Sequence, residues 1–205
     1  MGSALSSATA ACSDVLALPK TFDVMLVGLD SAGKTSILYR FAHRDPTNML
    51  PATETTIGVE SETISYRGHN ITITEFGGSA KIRVCARVYF WNYYAFVFVV
   101  DATAPERFSE AKEEIQRLNN DSTKCASHPL LILVNKTDMA GAVDLATISQ
   151  ALGIDQISRL RKIIAVKGVS AMTGEGLDEV LEWLSTAVDH RLIEYHDRLR
   201  RTGRY

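Results

Sequence analysis

The sequence predicts an α/β domain in which a doubly wound, mostly parallel sheet carries helices on both faces. Apolar runs of strand length alternate along the chain with apolar residues at helical spacing. The two central runs, 95–100 and 130–134, are apolar at every position, which is typical of parallel strands covered on both faces. A glycine-rich turn joins the first apolar run to the first helical pattern. A chain of 205 residues suits one such domain with short tails.

The expected elements follow in order along the chain. A first strand at 23–27 precedes a helix marked by Ile37, Leu38 and Phe41. Residues 59–66 and 70–76 alternate with a period near two on either side of Arg67-Gly68-His69, which predicts an antiparallel hairpin. The remaining expected elements are a strand at 95–100, a helix at 105–119, a strand at 130–134, a helix at 145–152 and a strand at 163–169.

The last helix is expected to begin near Gly176 and to continue beyond the domain. Its apolar residues recur at spacings of three and four as far as Leu199, and its distal end is rich in arginine. Two interpretations stay open: a long packing helix with a solvated basic end, or a contact with a partner or a membrane. We therefore divide the chain into an Ala- and Ser-rich tail at 1–19, a domain at 20–188 and a basic helical extension at 189–205.

Composition excludes several classes of function. Twenty-two Lys and Arg against 24 Asp and Glu give a net charge of -2, so no nucleic-acid partner is expected. Three scattered cysteines form neither a disulfide framework nor a zinc-ligand spacing, which predicts a reducing compartment. The longest apolar stretch, 93–100, is too short to span a membrane. We expect a cytoplasmic protein, either soluble or held peripherally on an intracellular membrane.

The turn after the first strand carries the strongest motif. Residues 28–35 fit the pattern G-x-x-x-x-G-K-S/T, in which glycines let the backbone N–H groups face inward and cradle phosphates. The ammonium group of Lys34 adds charge for the outer phosphates, and the Thr35 hydroxyl is a ligand for Mg²⁺. The motif predicts a P-loop NTPase fold, with nucleotide contacts from Gly28, Leu29, Asp30, Ser31, Ala32, Gly33, Lys34, Thr35 and Ser36.

A second motif predicts the base. Asn135-Lys136-Thr137-Asp138 follows the strand at 130–134. The Asp138 carboxylate can accept both the ring N–H and the exocyclic amine of guanine, a donor pair that adenine lacks. At the end of the last strand, a backbone N–H of Ser170-Ala171 could meet the guanine carbonyl. A P-loop nucleotide kinase is disfavoured, because the motif that begins at Asn135 and includes Lys136 has no role there.

These motifs resemble the small GTPases of the Arf and Arf-like family over residues 20–188. Thr55-Thr56-Ile57-Gly58 resembles the first switch segment of that family, and Gly77-Gly78 with Lys81-Ile82-Arg83 resembles the second. The resemblance implies that Thr56 closes over Mg²⁺ and the γ-phosphate of bound GTP, and that Gly78 donates its N–H to the γ-phosphate. Loss of that phosphate would release both segments.

The second switch segment departs from the family pattern at two positions. Glu75 stands where the family has the aspartate that holds Mg²⁺ through water, and Ser79 stands where the family has the glutamine that orients the attacking water. The serine is too short for that task. The catalytic set is therefore Lys34, Gly78 and a defective Ser79, and we expect slow GTP hydrolysis.

Aromatic side chains that the relatives display near the switches are missing. Val59, Thr74 and Ala86 stand at positions where the relatives have Phe, Trp and Trp, so effector choice cannot be transferred from the family. The aromatic residues just downstream are expected in the core: Trp91, Tyr93 and Tyr94.

The first residues fit the N-myristoylation pattern M-G-x-x-x-S/T, with Gly2 as the acceptor. One acyl chain binds membranes only marginally, so a second signal is needed, from a palmitoyl group on Cys12 or from the basic distal helix. The alternative is an ordinary start or a cloning scar, with an unmodified tail.

Two functional hypotheses remain. The first is a monomeric GTP/GDP switch in membrane or ciliary trafficking, with effector proteins, an exchange factor and an activating protein as partners. The second is a GTP-loaded scaffold, or an exchange cofactor for another Arf-like protein. The long last helix and Asn92-Tyr93-Tyr94 weakly resemble ciliary Arf-like proteins that also lack the glutamine.

Overall fold

The computed structural model describes residues 21–44, 50, 56, 58–120, 128–159 and 163–202, and for 191–202 the backbone alone. Its helices and strands are β1 (Thr21–Gly28), α1 (Lys34–Ala42), β2 (Val59–Tyr66), β3 (His69–Phe76), α2 (Ala80–Ala86), β4 (Ala95–Asp101), α3 (Phe108–Asn120), β5 (Leu130–Asn135), α4 (Leu145–Leu152), α5 (Ile154–Ser158), β6 (Ile164–Gly168) and α6 (Leu177–Thr202). Short 3-10 helices, Arg87–Asn92 and Pro105–Arg107, precede β4 and α3.

The described strands form one sheet in the order β2-β3-β1-β4-β5-β6. β3, β1, β4, β5 and β6 run parallel, and β2 pairs antiparallel with β3. The register places Leu26 beside Glu75 and Asp101 beside Asn135. Because parallel strands end at the same edge, the residues that follow them are gathered there, as in other open α/β sheets.

Helices cover both faces of this sheet, which confirms the predicted fold class. Alternate residues of β1 point to opposite faces: Leu26 packs with α1 and α6, whereas Met25 packs with α3 and α4. The central strands β4 and β5 are buried on both faces. The predicted continuous apolar runs thus have the physical cause expected of parallel strands.

The β2–β3 hairpin also forms as predicted, and its tip contacts the last helix. Arg67 Nη1 lies 2.6 Å from Glu182 Oε1, and His69 Nε2 lies 3.6 Å from Asp189 Oδ2. β2 is an end strand of the described sheet, and its side chains are mostly exposed. The hairpin therefore reaches from α6 at its tip to Glu75 at the far end of β3.

One expectation about the core is wrong. Trp91 is 55% exposed, whereas Tyr93 and Tyr94 are partly buried against the two core clusters. The 3-10 helix Arg87–Asn92 runs along the surface and turns its apolar side chains in different directions. Its Phe90 is buried, while Val88 and Tyr89 are exposed like Trp91.

The last helix has 26 residues and continues past 188, as the apolar stripe predicts. Val188 is fully buried in the core that α6 shares with α1. The basic side chains of the extension at 189–205 lie largely outside the described residues, so both interpretations of that segment remain predictions. Among the helices described, none is long and apolar enough to cross a membrane.

Candidate nucleotide-binding site

The loop between β1 and α1 has the curled backbone that phosphate binding requires. Gly28 and Gly33 adopt positive φ angles of 146° and 86°, which side chains disfavour. A Cβ at Gly28 would strike the Val99 backbone, and one at Gly33 would strike the Asn135 side chain. The loop therefore depends on glycine both for its conformation and for close packing against β4 and β5.

Lys34 lies at the start of α1 and is 4% exposed. Its Nζ donates a hydrogen bond of 2.8 Å to the Leu29 carbonyl across the loop. Burial lowers the pKa of Lys34 to about 8, although the carboxylates of Glu75 and Asp30 act in the opposite direction. An incompletely compensated ammonium at the N-terminus of a helix favours a bound anion.

Three oxygen-bearing side chains from distant segments meet beside this loop. Thr35 Oγ1 donates to Glu75 Oε1 at 2.9 Å and lies 2.9 Å from Thr56 Oγ1. Thr56 Oγ1 also donates to Glu75 Oε1, at 3.4 Å. The predicted metal-site residues Thr35, Thr56 and Glu75 are thus brought together.

Glu75 itself indicates how this cluster would accommodate a cation. It is 1% exposed, and its Oε2 atom is buried without a hydrogen-bond partner among the described residues. Burial raises the pKa of Glu75, against the hydrogen bond from Thr35 and the charge of Lys34. An orphaned carboxylate oxygen beside two hydroxyls fits Mg²⁺, which prefers oxygen ligands and needs few from the protein when phosphates supply others. The described residues contain no cluster of three or more Asp, Glu, His or Cys ligands.

The segment after β3 packs directly on the P-loop. A Cβ at Gly78 would strike the backbone of Leu29 and Asp30, so this close approach requires glycine. The N–H of Gly77 donates to the Gly58 carbonyl at 3.1 Å, which links the segments on either side of the hairpin. The backbone of Gly78 therefore packs against the P-loop at Leu29 and Asp30.

Ser79 occupies the N-cap position of α2, with an extended backbone. Its side chain makes no capping hydrogen bond and is half-buried. The hydroxyl is the end of a short side chain beside the loop, and no longer polar group extends from this position. This position therefore offers a hydroxyl in place of the longer amide that orients water in the family.

An arginine that sequence reasoning missed contacts the P-loop. Arg107 donates to the Asp30 carbonyl at 3.0 Å and to Asp30 Oδ1 at 2.9 Å, while it also bonds Glu110. The hydrogen bond from Arg107 lowers the pKa of Asp30. Glu110 in turn bonds Arg83, whose guanidinium donates to the Gly78 carbonyl. This chain of ion pairs joins α3, the P-loop and the second switch segment.

At the other end of the site, Asn135 ties two loops together. It is 2% exposed, and its Nδ2 donates to the Ala32 carbonyl at 3.0 Å. Its Oδ1 accepts the backbone N–H of Ala171 at 3.1 Å. Both N–H groups that we considered for the guanine carbonyl thus have protein partners in this structure: the Ala171 N–H donates to Asn135, and the Ser170 N–H donates to the Glu175 carbonyl at 3.0 Å. Ser170 is fully buried, and its hydroxyl accepts the Thr173 N–H.

Lys136 spans the site from the base end to the P-loop. It has a positive φ of 67°, and its Nζ donates to the Ser31 carbonyl at 2.9 Å and to Asp101 Oδ2 at 2.5 Å. Asp101 was not predicted, although its position directly after the apolar run of β4 was a usable signal. Asp138 is exposed two residues further on, at the same edge of the sheet.

The remaining predicted residues fall into two groups. Ser36 is half-buried in the first turn of α1, where backbone N–H groups lack helical partners. Gly2 and Cys12, the predicted lipidation sites, lie outside the described residues. The boundary at residue 20 also stays a prediction.

The fold and this site define a P-loop NTPase of the small GTPase class. The sequence model of the ADP-ribosylation factor (Arf) family matches residues 9–188. The chain therefore belongs to the Arf family, which confirms the predicted relationship. It is also similar to the solved structure of the Arl6 BBS3 small GTPase from Trypanosoma brucei with the bound nucleotide analogue GppNp. The TM-score is 0.72 at 26% identity, over 83% of this chain and 99% of the other.

Proposed function

We propose that this protein is an Arf-like GTP/GDP switch that requires Mg²⁺ and hydrolyses GTP slowly. The observation that carries the proposal is the meeting of Thr35, Thr56 and Glu75 beside Lys34. Thr35 belongs to the P-loop, Thr56 precedes β2, and Glu75 lies near the end of β3. Three segments far apart in sequence thus supply oxygens to one point, as a magnesium–nucleotide complex needs.

The same arrangement explains how a bound nucleotide would change the protein surface. The Thr56 hydroxyl and the Gly78 N–H would both be held while a γ-phosphate is present. Bound Mg²⁺ supplies neutralising charge to the outer phosphates. When the γ-phosphate is lost, the contacts of the Thr56 hydroxyl and of the Gly78 N–H are both lost, and the two switch segments are released. The hydrogen bond between Gly77 and Gly58 couples them, so they would move together.

Slow hydrolysis follows from what the chain offers the attacking water. Lys34 and the backbone of Gly78 can stabilise charge on the phosphates, and this contribution does not depend on the residue at position 79. Orienting the water is a separate task, and the Ser79 hydroxyl is too short to do it. Glu75 adds a methylene where relatives carry aspartate, which alters the surroundings of the metal.

Guanine selectivity is assigned to Asp138, with Asn135 and Lys136 holding the loop that carries it. Asn135 bonds the P-loop at Ala32 and the loop after β6 at Ala171. Lys136 bonds Ser31 and Asp101. Such a braced carboxylate could discriminate strongly, because a base without the matching donors leaves it unsatisfied.

For the cellular role we propose membrane or ciliary trafficking, with peripheral membrane attachment through Gly2 and a monomeric state. Small GTPases generally act with effectors, exchange factors and activating proteins, and we expect these classes here. The long α6 and the aromatic residues Tyr93 and Tyr94 support the ciliary variant by resemblance. The alternative, a GTP-loaded scaffold or exchange cofactor, is favoured by one observation: Ser79 lacks the reach of glutamine.

The deciding experiment identifies the nucleotide on protein purified from its own cells and then tests competition. We expect guanine nucleotide, displaced by GTP or GDP but not by ATP, with release accelerated when Mg²⁺ is chelated. Equal competition by ATP contradicts the proposal. Single-turnover hydrolysis then separates the hypotheses, because a switch converts its bound GTP slowly and a scaffold retains it.

A further inference from the structure

A buried arginine in α1 takes no part in the function proposed above. Arg40 is 4% exposed and lies in the same helix as Lys34 and Thr35. Its Nε donates to the Ala171 carbonyl at 3.0 Å, and its Nη2 donates to the Met172 carbonyl at 3.0 Å. Burying a guanidinium is costly unless its hydrogen bonds are made. Breaking these two bonds would leave buried donors unsatisfied, so the contact between Arg40 and the two carbonyls is stable.

The loop that Arg40 contacts is otherwise bonded largely to itself. Ser170 N–H donates to the Glu175 carbonyl at 3.0 Å, and Gly174 N–H donates to the Ser170 carbonyl at 2.8 Å. These bonds shape residues 170–175 from within the loop. The Ala171 peptide is oriented from two sides: Asn135 accepts its N–H, and Arg40 donates to its carbonyl.

We propose that Arg40 is a positioning residue for guanine recognition. It holds the Ala171 and Met172 peptides so that the Ala171 N–H, which donates to Asn135 Oδ1 in this structure, can be shared with the oxygen on the guanine six-membered ring. The inference rests on the proposed function. Arg40 does not touch the base. It acts through the loop, and its guanidinium suits this because two donors in one plane can hold two successive carbonyls.

The position of Arg40 in α1 gives this role a geometric basis. The first turn of α1 carries Lys34 and Thr35 at the phosphate end of the site, and Arg40 lies six residues after Lys34. Six residues of helix span about 9 Å. One helix thus fixes the positions of both the phosphate-binding residues and the loop that is expected to contact the base.

The test compares nucleotides that differ at single groups of the base. The full chain and its Arg40→Met variant are loaded in Mg²⁺ with GDP, 6-thio-GDP or IDP, and dissociation rates are measured. In 6-thio-GDP a weakly accepting sulfur replaces the exocyclic carbonyl oxygen of the base, whereas IDP keeps that oxygen and lacks the amine that Asp138 reads.

We expect Arg40→Met to release GDP about tenfold faster, since it loses hydrogen bonds from a charged donor. In the parent, 6-thio-GDP should dissociate faster than GDP, and in Arg40→Met the ratio of these two dissociation rates should fall towards one. The preference for GDP over IDP should stay at the parent value, because Asp138 is untouched. Arg40→Lys keeps the charge but lacks two donors in one plane. Its GDP dissociation rate and its rate ratio should therefore lie between those of the parent and of Arg40→Met.

Two controls separate positioning from general destabilisation. Leu38→Val makes a small cavity in the same helix at a residue that is 3% exposed; it should lower thermal stability without changing the sulfur preference. If Arg40→Met does not fold, Arg40→Lys carries the test. An unchanged GDP to 6-thio-GDP ratio in a guanine-selective Arg40 variant overturns this inference alone. A parent protein without guanine preference overturns the proposed function and this inference with it.

Discussion

Lys136 and Asp101 form an ion pair that ties the loop after β5 to the end of β4. The distance from Lys136 Nζ to Asp101 Oδ2 is 2.5 Å, and the two side chains are 29% and 16% exposed. The same ammonium bonds the Ser31 carbonyl. The pair therefore braces the P-loop and the expected base-binding loop at once.

Replacing Asp101 with Asn should destabilise the protein by about 2 kcal/mol at pH 7, since a charged hydrogen-bond acceptor is lost. Burial acts to raise the pKa of Asp101, but hydrogen bonds from Lys136 and Thr103 outweigh it and lower that pKa. A lowered folded-state pKa gives stability that is present above the unfolded pKa and lost as pH falls through the folded value. The difference between parent and Asp101→Asn should thus shrink below about pH 4.

Denaturant unfolding between pH 7 and pH 3 measures this difference. Asp155→Asn, at an exposed residue of α5, is the control and should follow the parent at every pH. A gap between parent and Asp101→Asn that stays constant down to pH 3 would show that the charge of Asp101 is not its source.

Replacing Asp138 with Asn should change which base is bound. The amide presents a donor where the carboxylate presented an acceptor, so GDP should bind at least tenfold more weakly and xanthosine diphosphate should gain affinity. Competition binding with the two diphosphates measures both changes. Asp138→Ala is the matched control: it should weaken GDP without admitting xanthine. Gain of xanthine binding by the alanine variant would mean that another group reads the base.

Replacing Glu75 with Gln should uncouple nucleotide retention from Mg²⁺. In the parent, chelation of Mg²⁺ should accelerate release of GDP by about tenfold or more. In Glu75→Gln the ratio of the release rates with and without chelator should approach one. Glu62 lies on the neighbouring strand, pairs with Ile73 and is exposed, so Glu62→Gln is a nearby control that should keep the parent response. The measurement is the rate of GDP release from the parent and from each variant, with and without EDTA. Equal EDTA responses in parent and Glu75→Gln would remove Glu75 from the metal site.

Replacing Ser79 with Gln should raise intrinsic GTP hydrolysis by about tenfold if water positioning is the missing element. A glutamine-bearing small GTPase turns over at about 10⁻⁴ s⁻¹ unaided, and the parent should lie below that rate. The substitution should leave α2 intact, because the Ser79 side chain makes no capping bond.

Single-turnover phosphate release from preloaded GTP measures this effect. Ser79→Ala should hydrolyse at the parent rate, and Ser79→Gln combined with Glu75→Asp should exceed Ser79→Gln alone. A parent rate equal to that of glutamine-bearing relatives would show that a different group orients the water.

Replacing Gly2 with Ala should move the protein from the membrane fraction to the soluble fraction, because the acyl group needs the amine of that glycine. Ser3→Ala preserves the acylation pattern and should fractionate like the parent. Cell fractionation of the three proteins is the measurement. If all three distribute alike, acylation of Gly2 does not hold the protein on membranes.

Local signals explain most of what the sequence predicted. The helix α4 occupies the predicted residues because Asp144 caps its start by accepting the Thr147 N–H and Gly153 ends it at a φ of 70°. Gly153 is also the N-cap of α5, a helix that was not predicted, since five residues have too little periodicity to detect. The predicted helix at 105–119 opens as a 3-10 turn at Pro105 before α3.

Contacts between distant segments explain the rest. The partners of Arg40 lie more than 130 residues away in sequence, and Arg107 meets Asp30 across 77 residues. No window along the chain contains both members of such a pair. The motifs could therefore predict which residues face the nucleotide, but not which residues hold them in place.

The exposed strand β2 has a consequence for self-association. Among the described strands, β2 pairs only with β3, and the other side of such an end strand can pair with a second copy of the protein. Glu60 and Glu62 are both exposed on this strand, so two molecules pairing through it would bring like charges together. Repulsion between these carboxylates would oppose edge-to-edge pairing, and neutralising both would leave an uncharged strand beside the exposed Val59. The hairpin that carries Glu75 into the candidate site thus also carries the charges that oppose pairing of two molecules along β2.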